Sequence, residues 1–313
     1  MSFAVRAVPG TASSRGCFAS QTLQPFTLLL TACPLVTAPC FTLDRRFPTR
    51  CCICWKTIPR KFKCKVCKME AHCEGCLPSN HHSITCRYLE KLYALRNNIN
   101  DDVITFSHLC INLLVLQSEH HLSLEPLYDL CQLPIDQLPS EQSDDLHTCI
   151  QLINQIIPTH LVDNRESLVQ EIFLREICNG FCFWDESYEK YAQAIVPSAS
   201  YFNHSCYPNA FKMNIDGKVL VYSLREIAPN EEIVFSYVPH DYDLPTRQRI
   251  LSTYFGFTCT CLRCQPSEDL EIYQREELKE FEMNNVHHGC GGVYYSSAEV
   301  QGFLCSICHS VKN

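Results

Sequence analysis

The spacing of cysteines constrains the fold of this chain more than any other feature of its sequence. Its 313 residues include 23 cysteines, which is far more than an ordinary domain uses. In a secreted protein such a number would indicate disulfides, whereas in an intracellular protein it indicates metal sites. The apolar stretch 26–40 begins too far into the chain, contains prolines and is too short to act as a signal peptide or a membrane span. We therefore expect zinc bound by cysteines in a reducing compartment.

The densest group of cysteines begins at residue 51, where the composition changes abruptly. Eight sulfur or imidazole ligands lie between residues 51 and 86, enough for two tetrahedral zinc sites: Cys51, Cys54, Cys64, Cys67, Cys73, Cys76, His82 and Cys86. A segment this short and this poor in aliphatic side chains is not expected to fold without metal. Cys52 and His81 are adjacent competitors, so the ligand choice at those two positions stays open. The segment is also basic, which we interpret as a solvated surface, with an acidic partner or DNA as the alternative.

A polar loop at 203–209, with the sequence NHSCYPN, is followed by two predicted strands at 219–225 and 233–237, the second ending in Tyr237. Pro208 prevents a regular helix or strand from continuing through the loop, and the loop's asparagine and histidine can hydrogen-bond a polar ligand. One thiol of the loop and three thiols of a later C-x-C-x-x-C cluster supply the ligands for a third zinc site: Cys206, Cys259, Cys261 and Cys264.

The end of the chain carries one more cysteine group. A charged amphipathic helix is predicted at about 269–283. It leads to Cys290, Cys305 and Cys308, which could form a fourth, ribbon-like zinc site together with a histidine. The sequence does not decide between His287 and His288 as the fourth ligand. Free thiols are the alternative for this group.

Between residues 87 and 178 the apolar residues recur at helical spacing. The pattern predicts about four helices, at 88–95, 109–116, 146–157 and 168–177, and we interpret their apolar stripes as core. The pair His120-His121 has no cysteine nearby and is interpreted as surface. The formal charge of −8 argues against nucleic-acid binding by the chain as a whole.

Three motifs in a fixed order resemble the SET domain of protein lysine methyltransferases. They are NHSCYPN at 203–209, NEEIVFSY at 230–237 and FTCTCLRC at 257–264. The pair Arg15-Gly16 is similar to the G-x-G-[LF]-x-A opening of that domain, with Ser14 in place of the first glycine. Residues 51–86 resemble a MYND finger, whose ligands interleave. That resemblance implies one zinc ion on Cys51, Cys54, Cys73 and Cys76, and another on Cys64, Cys67, His82 and Cys86.

The split order of these pieces is similar to that of the SMYD-like, SET-and-MYND methyltransferases. It implies an α+β protein in which a β-rich SET fold is split by a MYND zinc finger and a helical insert, with a cysteine-rich post-SET zinc segment. The implied domains are the N-terminal part of the SET domain (1–48), the finger (49–86), the helical insert (87–164), the C-terminal SET core (165–250), the post-SET segment (251–266) and a C-terminal helix with a ribbon (267–313). The chain ends soon after, so we expect a short form without the long helical repeat domain of some relatives.

The resemblance also implies an activity, namely transfer of a methyl group from S-adenosylmethionine to a lysine side chain of a histone or another protein. Tyr237 is the expected catalytic residue, because its hydroxyl and nearby backbone carbonyls would orient the amine and the methyl group. The implied cofactor-binding residues are Arg15, Gly16, Tyr128, Asn179, Ser200, Asn203, His204, Tyr237 and Phe257. Many relatives carry Tyr-Gly-Phe where this chain has Phe255-Gly256-Phe257, which leaves the second channel tyrosine open.

Two other interpretations stand beside this one. The chain could be a SET-MYND scaffold with weak or no activity that binds proline-rich or acidic partners through its finger, or a methyltransferase for a non-lysine acceptor. For the methyltransferase we expect a protein substrate, a monomer, no membrane association and a nuclear or cytoplasmic location.

Overall fold

The computed structural model describes residues 2–8, 15–40, 50–58, 62–68, 71–76, 80–185, 190–296 and 302–312. Its α-helices are α1 (Asn80–Leu95), α2 (Asp101–Ser118), α3 (Glu125–Tyr128), α4 (Ser140–Ile156), α5 (Arg165–Asn179), α6 (Leu244–Phe255) and α7 (Ile272–Asn285). Its strands are β1 (Phe3–Ala7), β2 (Arg15–Ala19), β3 (Leu28–Ala32), β4 (Val36–Pro39), β5 (Phe62–Lys63), β6 (Ala71–His72), β7 (Gly180–Trp184), β8 (Lys190–Ile195), β9 (Asn203–His204), β10 (Ala210–Ile215), β11 (Lys218–Ser223), β12 (Glu232–Phe235), β13 (Tyr294–Ser296), β14 (Phe303–Cys305) and β15 (Val311–Lys312). The mixture of helices and strands agrees with the predicted α+β class.

The chain divides into two compact units, each built from separated stretches of sequence. The first unit consists of Met1–Ala32, Asp185–Tyr188 and Ser198–Asn313. The second unit consists of Cys33–Trp184 and Glu189–Pro197. The first therefore contains the polar loop at 203–209 and both C-terminal cysteine groups, and the second contains the finger and helices α1 to α5.

The first unit carries a four-stranded sheet in the order β1-β2-β12-β9. Strand β12 pairs antiparallel with β2, with Ile233 opposite Cys17, and parallel with β9, with Val234 opposite Asn203. Ile233 and Cys17 are fully buried, as expected for strands at the centre of a sheet. This pairing places β9, where the polar loop begins, directly beside β12. Strand β12 in turn separates β9 from β2, which carries Gly16.

A second sheet of the first unit has the order β10-β11-β3. Strands β10 and β11 form a hairpin whose turn residues, Asp216 and Gly217, have φ angles of 49° and 73°. Two positive φ angles in a two-residue loop define the turn that matches the natural twist of a hairpin, and aspartate-glycine is a favoured sequence for it. The hairpin fixes the register of β10, so Phe211 and Met213 point into an apolar cluster with Phe281 and Val293.

The second unit has a helical core centred on α2. The Asn100 side chain accepts a hydrogen bond from the Asp102 amide at 2.9 Å and caps the N-terminus of α2. Leu109, Leu113 and most other residues of α2 are buried, and the helix packs against α1, α4 and α5. The four predicted helices are confirmed. None of the helices in the described ranges combines the length and the apolar character needed to cross a membrane.

The finger, by contrast, has little apolar interior among its described residues, 50–58, 62–68, 71–76 and 80–86. Its strands β5 and β6 have two residues each, and its own apolar cluster consists of Ile58 and ligand cysteines. Trp55 is the large side chain that anchors the segment, because it is 2% exposed and its ring lies 5.8 Å from the Tyr191 ring. This composition agrees with a segment that depends on bound metal for its fold.

Several predicted elements differ from the structure at their ends, and for two of them the cause is a side-chain hydrogen bond. Strand β12 ends at Phe235, so Tyr237 lies just beyond the strand and not within it. The Tyr237 amide donates to the His204 ring and the Val238 amide donates to the Ser236 hydroxyl, and these bonds replace the strand ladder. The C-terminal helix α7 begins at Ile272, after a short 3-10 turn, because the side chains of Glu271 and Gln274 form a capping box there.

Candidate active site and metal centres

The eight ligands of the finger fall into two groups of four, and within each group the ligand atoms lie within 4.8 Å of one another. The first group is Cys51, Cys54, Cys73 and Cys76, and the second is Cys64, Cys67, His82 and Cys86. This is the interleaved grouping that the MYND resemblance implies. The Cys54 and Cys73 sulfur atoms are 3.8 Å apart. A tetrahedral site with zinc–sulfur bonds of about 2.3 Å requires sulfur atoms about 3.8 Å apart, so these residues fit the ion.

The electrostatics of the finger favour a thiolate at one cysteine of each group, while burial and neighbouring cysteines raise the pKa of three other ligands, Cys54, Cys76 and Cys86. Burial opposes the charged form of Cys64, but hydrogen bonds from His82 and from backbone amides outweigh it and lower its pKa to about 6. Burial likewise opposes the charged form of Cys51, and hydrogen bonds from His72 and from backbone amides lower its pKa to about 5. A thiolate at neutral pH is the form that binds zinc.

The two open ligand choices in the finger have different outcomes. Cys51 is fully buried and belongs to the first group, whereas Cys52 is half-buried and belongs to neither group. His82 belongs to the second group, with its Nε2 atom 3.8 Å from the Cys67 sulfur. The side chain of His81 lies outside the described part of the chain.

The two C-terminal cysteine groups converge in the same way. Cys206 lies with the later C-x-C-x-x-C cluster, and its sulfur is 3.5 Å from that of Cys264. This third cysteine group consists of Cys206, Cys259, Cys261 and Cys264. The last group consists of His287, Cys290, Cys305 and Cys308. The His287 Nδ1 atom is 2.9 Å from the Cys290 sulfur, so the geometry selects His287 over His288. Both groups could hold a tetrahedral ion.

The polar loop is fixed to the sheet by the side chain of Asn203. Its Nδ2 atom donates to the Arg15 carbonyl at 3.0 Å and to the Glu232 carboxylate at 2.7 Å. A Cβ atom at Gly16 would overlap the Glu232 carboxylate and lie 2.9 Å from Asn203 Nδ2. A side chain at this position would therefore have to displace Glu232 or Asn203 and disturb the hydrogen bond between them.

His204 joins the third cysteine group to Tyr237. Its Nδ1 atom accepts a hydrogen bond from the Tyr237 amide at 2.9 Å. The ring proton must then lie on Nε2, which is 3.2 Å from the Cys206 sulfur and donates to it. One imidazole thus holds the backbone of Tyr237 at a fixed position relative to Cys206.

The Tyr237 side chain lies among aromatic rings. Its hydroxyl donates to the Phe202 carbonyl at 2.8 Å. Its ring centroid is 4.9 Å from that of Phe255 and 5.2 Å from the His204 ring. Phe255 brings a ring without a hydroxyl to the position at which the SET resemblance implies a tyrosine. A hydroxyl and a backbone carbonyl surrounded by rings form a site that can orient an amine and shield it from water.

Helix α6 positions Phe257. The helix ends at Phe255 and is followed by Gly256, whose φ of 73° reverses the chain direction, as glycine commonly does at a helix C-terminus. The Gln248 side chain then hydrogen-bonds both backbone groups of Cys259, at 2.7 and 3.0 Å. These contacts place the Phe257 ring 5.8 Å from the His204 ring.

Sequence reasoning missed two further residues near the site. Arg263 donates to the His240 carbonyl at 2.7 Å and to the Glu282 carboxylate at 3.1 Å. His240 is 7% exposed, and its Nδ1 atom has no hydrogen-bond partner among the described residues. Burial and the positive charge of Arg263 lower the pKa of His240 to about 3, with smaller contributions from His204, Arg247 and Lys212. Arg263 lies within the FTCTCLRC motif, but the motif does not indicate its partners, and no motif signals His240, because these contacts come from distant parts of the chain.

The remaining predicted cofactor residues lie in both units. The first unit brings Arg15, Gly16, Asn203, His204, Tyr237 and Phe257 together, with Ser200 in the turn before β9. Tyr128 and Asn179 belong to the second unit. The Arg175 guanidinium lies 5.5 Å from the centre of the Tyr128 ring, and Asn179 donates to the carbonyls of Cys131 and Arg175. Ser14 lies outside the described residues.

Comparison with known proteins places these features in a family. Residues 14–238 match the family model described as SET domain. The chain is 26% identical over 306 residues to histone-lysine N-methyltransferase ASHR1 of Arabidopsis thaliana, covering 94% of this chain and 62% of the relative. It is 32% identical over 131 residues to N-lysine methyltransferase SMYD2 of Homo sapiens, covering 42% of this chain and 30% of the relative. The chain thus spans less than two thirds of the length of either relative.

Among solved structures, the chain is similar to the SET domain of LSMT bound to lysine and AdoHcy. The TM-score is 0.40 at 12% identity, and the match covers 90% of this chain and 60% of that chain. The SET domain match covers more than half of the present sequence. The chain therefore belongs to the SET domain family, as an SMYD-like member.

Proposed function

We propose that this chain is an S-adenosylmethionine-dependent protein-lysine N-methyltransferase that acts on a histone or another protein. The observation that carries the proposal is the Tyr237 side chain, whose hydroxyl is 2.8 Å from the Phe202 carbonyl and whose ring lies against Phe255 and His204. The relatives ASHR1 and SMYD2 are named as lysine methyltransferases, which supports the same assignment. For this substrate class we expect a nuclear or cytoplasmic protein that acts as a monomer.

The proposed cofactor site is built on the polar loop. The Arg15 guanidinium is exposed and offers a cation for the carboxylate of the cofactor, and the Phe257 ring offers a flat surface for its adenine. The Asn203 amide nitrogen already has two protein acceptors, so we expect this residue to contact the cofactor through its remaining polar atoms. His204, Gly16 and Ser200 complete the loop side of this site, and Tyr128 and Asn179 are proposed as further contacts.

S-adenosylmethionine supplies the methyl group as a sulfonium electrophile, so neither a metal nor a covalent enzyme intermediate is needed for the transfer. The acceptor lysine must first lose a proton, since its unperturbed pKa is about 10.4. Desolvation among the rings of Tyr237 and Phe255 would lower that pKa. The Tyr237 hydroxyl and the Phe202 carbonyl would orient the amine and hold the methyl hydrogens by weak C–H···O contacts.

The proposed zinc sites stabilise the fold and do not take part in the transfer. Zinc on the third group would tie the segment that carries Phe257 to the polar loop, because Cys206 belongs to the loop and Cys259 follows Phe257 closely. The two finger sites would hold a segment that has few apolar contacts of its own. The fourth site would hold the short sheet β13-β14-β15. We also propose the domain boundaries that the order of the sequence motifs implies, namely 1–48, 49–86, 87–164, 165–250, 251–266 and 267–313.

The experiment that tests this function is the Tyr237→Phe substitution. It keeps the ring and removes the hydroxyl, so one hydrogen bond is lost at a cost of about 0.5–1.5 kcal/mol in stability. Transfer of labelled methyl groups to protein should fall by about 10²–10³ if the hydroxyl acts mainly in the transition state. Cofactor binding, measured by calorimetry, should change little. The matched control is Tyr254→Phe, because Tyr254 is 44% exposed on α6.

Phe255 favours a second candidate function. Because this ring lacks the hydroxyl that many relatives carry, the chain could be a scaffold with weak activity that binds a partner through its finger. Wild-type protein that binds S-adenosylmethionine but labels no protein would support the scaffold. Mass spectrometry of the labelled residue would distinguish lysine from any other acceptor.

A further inference from the structure

Strand β10 presents a lysine to the proposed active site. Side chains alternate along a strand, and Phe211 and Met213 enter the apolar cluster on one face of β10. Lys212 therefore faces the other way, together with Ala210, which is fully buried. The register of the hairpin fixes this choice, since Lys212 is paired with Val221 on β11. A lysine at an inward-facing position of a strand is unusual and requires an explanation.

The amine of Lys212 lies over the rings of the site. Its Nζ atom is 4.8 Å from the centre of the Phe235 ring and 5.8 Å from the centre of the Tyr237 ring. Both distances are within the range at which an ammonium group is attracted to the face of an aromatic ring. The side chain is half-buried, so the attraction is only partly screened by water. An amine beside Tyr237 is what the proposed reaction requires of its substrate.

We propose that Lys212 is an internal methyl acceptor, a modification site of this chain. The inference rests on the proposed methyltransferase function. In the step, the amine of Lys212 loses its proton to water and its lone pair attacks the methyl carbon of S-adenosylmethionine. A nitrogen–carbon bond forms, the sulfur–carbon bond breaks, and its electron pair stays on sulfur as the neutral thioether of S-adenosylhomocysteine. The product is methylated Lys212, and no oxidant or metal is involved.

Two physical effects favour Lys212 over an external lysine. It is attached to the same chain as Tyr237, so its reaction does not require the association of two molecules. Its methylated form keeps a positive charge and can stay against the Phe235 ring, since aromatic rings also bind methylated ammonium groups. Lys212 should therefore compete with external substrates for the same position, before and after its own modification.

The position of the amine can be tested without any cofactor. The native protein is treated with an acetylating reagent for amines, and the rates at Lys212 and Lys218 are compared by peptide mass spectrometry. Lys218 is the matched control, because it is exposed and lies in the same hairpin. We expect Lys212 to react about tenfold more slowly than Lys218 in the folded protein, and equally fast after denaturation. Equal rates in the folded protein would overturn the placement of the amine.

The modification itself is tested by incubating the purified chain with S-adenosylmethionine and mapping the methylated residue. We expect one or more methyl groups on Lys212, and the fraction of chains methylated per unit time should not depend on protein concentration. The label should be lost in Lys212→Arg and in Lys212→Met and should be unchanged in Lys218→Arg. Methylation of added protein without label on Lys212 would overturn this inference and leave the proposed function standing. If the fraction of chains methylated per unit time rose with protein concentration, the inference would also be overturned, because the acceptor would then belong to another copy. No transfer to any acceptor would refute the proposed function instead.

Discussion

Exchanging a single atom of the Asn203 side chain should weaken the sheet that carries the polar loop. In Asn203→Asp the shape is nearly unchanged, but an oxygen replaces the amide nitrogen. That nitrogen donates to the Glu232 carboxylate at 2.7 Å and to the Arg15 carbonyl at 3.0 Å. The variant would lose both hydrogen bonds and bring two carboxylates together in their place.

The size of the effect follows from these two contacts. A hydrogen bond to a charged group contributes about 1.5–3 kcal/mol and a neutral one about 0.5–1.5 kcal/mol. Asn203 and Glu232 are half-buried, so water relieves part of the loss, and we expect the free energy of unfolding to fall by about 2–3 kcal/mol at pH 7.5. The repulsion disappears when one carboxylate takes up a proton. The loss should therefore be smaller at pH 5.5 than at pH 7.5.

The assay is urea unfolding of the wild type and Asn203→Asp at both pH values, with metal present throughout. Adding Glu232→Gln to the variant restores a donor opposite the new carboxylate, so the double variant should regain at least half of the loss at pH 7.5. Glu232→Gln alone keeps an oxygen that can accept from Asn203 and should have a smaller effect. A loss that is the same at both pH values and is not rescued would refute the reasoning.

Two further outcomes are expected from the metal sites and from His240. Elemental analysis of metal-replete protein should give four zinc ions per chain, and one ion or none would contradict the ligand groups. Chelation should unfold the finger before α2 to α5, which hydrogen exchange can follow. His240 has a folded pKa of about 3 against about 6.5 in an unfolded chain, so the unfolded state takes up the proton first and stability falls as the pH decreases between these values. From pH 6.5 to 5.5 the wild type should lose about 1 kcal/mol more than His240→Gln in urea unfolding, and parallel pH curves would contradict the buried neutral imidazole.

Local sequence patterns predicted the features that depend on neighbours in the chain. The short spacings between cysteines identify ligand pairs, because a C-x-x-C turn places two sulfur atoms on the same side of a loop. Helical periodicity predicted the core of the second unit, including Leu109 and Leu113, for the same local reason. The motif order then implied which distant segment supplies Cys206 to the later cluster, and the structure brings these sulfur atoms together.

The features that the sequence could not decide depend on contacts between distant segments. His287 and His288 are adjacent, and only the path of the chain after α7 determines which ring reaches the cysteines. The end of β12 could not be found from alternation, because a hydrogen bond from Tyr237 to His204 interrupts the ladder there. Nothing in the local sequence distinguishes Lys212, whose amine lies over the Phe235 ring once β10 is paired with β11.

The hydrogen bonds of His204 give the third cysteine group a role beyond tying the Phe257 segment to the polar loop. When this group holds metal, Cys206 is a thiolate, which accepts a stronger hydrogen bond than a thiol does. That bond keeps the proton of His204 on Nε2 and leaves Nδ1 free to accept from the Tyr237 amide. Without metal, a protonated Cys206 thiol can donate to the imidazole, and the ring can then exchange its tautomer or rotate. Loss of this metal should therefore release the backbone of Tyr237 while Asn203 still holds β9 to the sheet, so the geometry around the tyrosine would be lost before the strands separate.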